Sequence, residues 1–114
     1  MTSNGRIVTD EEVEKALDFL RHNARELSEA KAESIRCDHM LRVTKALVMR
    51  RHNEMSAAKA EVEAYCSSEY EAALLEDAKA AGEYEKMRAL REAASMKIET
   101  WRSEQANYRA MRIG

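Results

Sequence analysis

The side chains that could carry chemistry in this 114-residue chain are three histidines, two cysteines and twenty-one carboxylates. A di-iron site in a helical bundle needs a histidine three residues after a glutamate, twice over. Phe19, Arg36 and Met49 stand three residues before His22, His39 and His52, so that site is not encoded. His-Glu-x-x-His and the glycine-rich phosphate loops are absent as well. Cys37 and Cys66 have neither metal-type spacing nor the pattern of a disulfide framework, and read as two reduced thiols. Carboxylates abound, but splitting the pKa values of a pair needs a deep pocket, which a narrow helical protein does not offer. The expectation is a non-enzymatic protein with no metal, no cofactor and no small-molecule substrate.

Cations are the better lead. Arg42, Lys45, Arg50, Arg51, His52 and Lys59 form one positive run. Arg102, Arg109 and Arg112 form a second, interleaved with Trp101 and Tyr108. Arginine and lysine on phosphates, with an aromatic ring for base stacking, is the physics of single-strand binding. Against it stand a net charge of −2 and the position of Trp101 and Tyr108 on an apolar seam. The run around Arg50-Arg51-His52 is the stronger candidate, because few carboxylates lie near it in sequence.

Helices must position these groups. Proline is absent, glycine occurs three times, and charged residues make up 35% of the chain. Alanine, glutamate, lysine, arginine and methionine dominate, which are strong helix formers. Residues 1–8 read as a flexible arm, and 9–112 as a single helical-hairpin domain. Thr9 with Glu12 makes a capping box before an acidic first turn, and no breaker follows until Asn53. Ser56 caps a short helix over 57–65, and Ser67 or Ser68 opens a last helix that runs to Met111. Gly82 weakens that helix by ~1 kcal/mol relative to alanine, so a bend there would be no surprise, and the sequence leaves open whether the helix breaks. Met87, Ala94, Trp101 and Tyr108 recur every seven residues, with Ile98 widening the face. Leu17, Leu20, Leu27, Leu47 and Leu74 complete the expected seam.

Charge sets the orientation. Residues 1–35, 36–60, 61–85 and 86–114 carry net charges of −3, +4, −7 and +4. Doubling the chain over near residue 60 puts residue i beside roughly 121 − i and places unlike blocks together. Trp101 then lies near Leu20, Leu74 near Leu47, and the two cysteines far apart. The expected fold is all-α: two long antiparallel helices joined by a short one, assembling into an oligomeric bundle.

The order of features resembles a known group. Met49-Arg50-Arg51 is followed by Val62-Glu63-Ala64-Tyr65 and Ser67-Ser68-Glu69-Tyr70. The last helix holds Lys97-Ile98-Glu99-Thr100-Trp101-Arg102-Ser103 and Asn107-Tyr108-Arg109. Over residues 10 to 112 this is similar to small helical proteins from the recombination and replication segment of tailed-phage and prophage genomes, and its layout resembles the UvsY-type recombination mediators. The resemblance implies a homo-oligomer in the host cytoplasm that binds single-stranded DNA and a phage or host recombination protein. Arg42 to Arg51 is the nearest equivalent by position to that group's basic DNA-contacting segment, without matching it residue for residue. The competing expectation is a protein-interaction module, such as a phage inhibitor of a host defence complex or an assembly factor, acting through the acidic surface of 61–85. Neither a membrane span nor a signal peptide is read from the sequence.

Overall fold

The computed structural model describes residues 7–113. Residues 1–6 of the arm and Gly114 lie outside the described residues. Three helices follow one another: α1 (Asp10–Arg51), α2 (Ala57–Tyr65) and α3 (Ser68–Ile113). No strand occurs among the described residues, and α1 and α3 pack against each other. The architecture is all-α, as composition dictates.

Local chemistry explains each boundary. The Glu12 amide donates to the Thr9 hydroxyl at 3.1 Å and the Thr9 amide to the Glu12 carboxylate at 3.4 Å, a closed capping box. Asp10, Glu11 and Glu12 complement the positive end of α1, and Arg50 and Arg51 its negative end. Ser56 caps α2 by accepting from the Lys59 amide at 3.3 Å. Ser67 serves two helices. Its hydroxyl donates to the Ala64 carbonyl at 2.7 Å and accepts from the Tyr70 amide at 3.1 Å, closing α2 and opening α3.

The chain forms two compact units. The first joins the segment ending at Leu27 to the segment that starts at Lys86. Its core is Val8, Val13, Ala16, Ala94 and Ile98, with Phe19, Leu20 and Trp101 packed against it. Val8, assigned to the arm by the sequence pattern, is buried here, and the Ile7 and Val8 amides donate to Glu104 at 2.9 and 3.1 Å. The Trp101 indole donates to Asp10 at 2.8 Å, and Arg91 donates to the Leu20 carbonyl at 3.1 Å. Residue i therefore faces roughly 111 − i in this unit, not 121 − i. That register brings small Ala16 and Ala94 into one cluster with Val13 and Ile98, so the backbones approach closely. Leu17, expected in the seam, is 44% exposed, because Ala16 occupies the inward position 100° away. Met87 is buried, while Leu27 and Tyr108 are half-buried.

The second unit spans Ser28–Glu85. Its buried residues are Cys37, Val48, Ala60, Ala64 and Ala80, with Ala64 fully covered. Ala60 and Ala64, four apart, form the inner face of α2. Leu47 is 53% exposed and Leu74 46%, so neither is core. The reason matches Leu17: alanines line the contact, and bulkier leucines are displaced to its flanks. Both cysteines are free thiols, Cys37 buried and Cys66 exposed.

α3 runs unbroken through Gly82. Among the described residues, nothing beyond the local helix backbone lies within 4 Å of where a Cβ would stand at that position. Gly82→Ala is therefore expected to stabilise the fold by roughly 0.5–1 kcal/mol, through backbone entropy alone. A calorimetric melting temperature that falls instead would mean that this position is not open space in solution.

Candidate nucleic-acid interface

The basic run lies in the second unit, on the last turns of α1, the loop after it and the first turn of α2. Arg42 donates to Asp38 at 2.7 Å, one α-helical turn back. Lys45 donates to Glu61 at 2.8 Å and to the Tyr65 hydroxyl at 2.9 Å, and its ammonium lies 4.7 Å from the Tyr65 ring centroid. Glu61, then the Tyr65 hydroxyl, holds the Lys45 ammonium well above its ordinary pKa. Only 27% of that side chain is exposed, and it clasps α2 to α1. Lys45 is thus a structural cation, not a candidate phosphate contact.

Arg51 pairs with Glu69 at 2.5 Å, joining α1 to the first turn of α3. His52 Nδ1 stands 3.8 Å from Glu54. Arg50 and Lys59 are exposed and make no ion pair with any described residue. Facing charge blocks thus exist in this unit, but they consume only part of the run.

The Glu69 carboxyl is held below its ordinary value of 4.5 by its own backbone amide, then by the Arg51 guanidinium. A depressed carboxylate stabilises the fold above its unfolded pKa and stops doing so as pH falls through the folded one. The melting temperature should therefore fall on acidification below about pH 4.5, and Glu69→Gln should make that fall shallower. Equal acid sensitivity in the variant would remove Glu69 from the account.

Beside these cations lies a groove of about 760 Å3, lined by Thr44, Leu47, Val48, Arg50, Arg51 and Glu69. Its floor is apolar, and two arginines edge it. Tyr65, half exposed, packs edge-to-face on Tyr70 with centroids 5.2 Å apart. This aromatic beside the basic run escapes a reading based on adjacency in sequence. Its signal was the Ala60/Ala64 spacing, which turns Tyr65 away from the inner face of α2.

The second basic run separates into different roles. Trp101 is committed to the core cluster and to Asp10, so it is no stacking platform. Arg102 pairs with Glu99 at 2.9 Å within its own helix. Arg109 and Arg112 make no ion pair with any described residue. His22 is exposed and bonds the Asp18 carbonyl one turn back, and no group of three or more His, Cys, Asp or Glu residues among the described residues could hold a metal ion.

Fold and site together define an all-α helical protein with a partly neutralised basic end on its second unit. No protein-family model, curated protein or solved structure matches the chain. No helix among the described residues is long and apolar enough to cross a membrane.

Proposed function

We propose that the chain is a non-catalytic scaffold of the phage recombination type, which binds single-stranded DNA and hands it to a recombinase or annealing protein. The observation that carries this reading is two cations that make no ion pair with any described residue, Arg50 and Lys59, flanked by Arg42 and Arg51. Both flanking side chains are more than half exposed. Exposed ion pairs contribute only ~0–1 kcal/mol each, so a phosphate can compete for them. A guanidinium also has five donors and can hold a carboxylate and a phosphate together. Each contact is weak, and several copies on one strand multiply them. The apolar groove edged by Arg50 and Arg51 is the surface offered to the protein partner. Retention of a thymidine oligonucleotide at low salt tests the reading, and no retention rejects it.

A second reading has its own observation. Glu63, Glu71, Asp77 and Glu83 of the 61–85 stretch make no ion pair with any described residue. They support a protein-interaction module, such as an inhibitor of a host defence complex or an assembly factor, that presents a phosphate-like acidic face. Capture of one host protein that survives nuclease, with no affinity for single strands, would favour it.

A further inference from the structure

Pairing among the described residues leaves charge of both signs unused. Glu61 and Glu69 are taken by Lys45 and Arg51, whereas the other carboxylates just named are not. In the first unit, Lys15, Lys86 and Lys97 are exposed and likewise make no ion pair with a described residue.

Apolar surface follows the same division. Glu71, Leu75, Ala78 and Gly82 recur at the three- and four-residue spacing that keeps to one helix face, and all four are exposed. Leu75 is 64% exposed. A glycine in the middle of a helix costs roughly 0.5–1 kcal/mol relative to alanine, and among the described residues nothing beyond the local helix backbone lies within 4 Å of a Cβ built at Gly82. Small residues at a contact set how closely two helices can approach. Ala78 and Gly82 therefore keep this face of the helix slim beside Leu75, so that it can approach closely between two helices of another molecule.

A matching surface exists on the first unit. A groove of about 390 Å3 between α1 and α3 is floored by Phe19, Leu90 and Ala93 and edged by Lys15 and Lys97. The one carboxylate on its rim, Glu12, is turned back onto Thr9.

We propose that the 71–82 ridge of one copy seats in the Phe19/Leu90 groove of a second copy, with Glu71 set against the groove lysines. Ridge and groove are different surfaces, and every copy carries both. Such a heterologous contact closes into a ring or runs on as a filament. Arg50 and Lys59 take no part in it, so each added copy keeps its own phosphate contacts. The contact itself requires no nucleic acid, and its test uses none.

Light scattering of the full chain should give a mass above the 13.0 kDa of one copy. Leu75→Glu and Lys97→Glu should each reduce it to that single-copy mass, with the helical circular dichroism unchanged. Mixing Glu71→Lys copies with Lys97→Glu copies should restore assembly, because the two reversed charges then face each other. A wild-type chain that stays at single-copy mass at every salt and protein concentration overturns the proposal and leaves the ridge to a partner of another sequence. So does an assembly that survives both Leu75→Glu and Gly82→Arg. Failure to retain oligonucleotide, with assembly intact, would reject the DNA reading alone.

Discussion

Reversing Arg50 and Lys59 to glutamate together should flatten the salt dependence of single-strand binding. Each phosphate contact on a single strand contributes about 0.7 to the slope of log affinity against log salt. Four contacts, from Arg42, Arg50, Arg51 and Lys59, give a slope of about −3. Affinity then falls about 50-fold between roughly 50 and 200 mM salt. Removing two contacts halves the slope and leaves a fall of about 7-fold over the same interval. These two residues are the informative pair, because neither makes an ion pair with a described residue. Arg51 is a poorer choice, since reversing it also breaks its bridge to Glu69. Fluorescence anisotropy of a labelled thymidine oligomer reads the slope directly. An unchanged slope with folded protein would remove this basic run from the interface.

Truncating Trp101 to alanine should lower stability by about 3 kcal/mol, the low end for tryptophan, because the ring is only partly buried. The ring packs on the Val13, Ala16, Ala94 and Ile98 cluster and donates to Asp10. For a chain of this size the loss corresponds to on the order of 10 °C in melting temperature. Trp101→Phe keeps most of the packing and removes the donor, so it should cost only about 0.5–1.5 kcal/mol. Thermal unfolding followed by circular dichroism separates the two. Equal melting temperatures for all three proteins would mean that the tryptophan faces solvent and is available to a ligand.

Much of the fold was legible in residue types. Helix starts at Thr9 and Ser56 follow from a hydroxyl that satisfies backbone donors, which is a local interaction and needs no tertiary context. The third cap was ambiguous between Ser67 and Ser68. Ser67 wins because its hydroxyl also reaches the Ala64 carbonyl near the end of α2.

The candidate site was legible only in part. Its cations could be named from the chain, but their availability could not. Lys45 and Arg51 look alike on paper. In the fold Lys45 is closed under Tyr65 and Glu61, whereas Arg51 stays more than half exposed beside Glu69. Tyr65 entered the site because the inner face of α2 is set by two alanines, and its ring then had to lie at the edge.

Composition and local spacing determined that this chain is helical, where its helices begin, and that the long ones run antiparallel, because caps and charge blocks act over a few residues or over net sign. Tertiary packing decided the register and which apolar residues are core. Leu17, Leu47 and Leu74 carry the stronger hydrophobic signal, yet Ala16, Ala60, Ala64 and Ala80 are among the buried residues. Helices that approach over alanine bring more backbone into contact than leucine would allow. Hydrophobicity counts the size of a side chain and cannot report how near another helix comes, which depends on both partners at once.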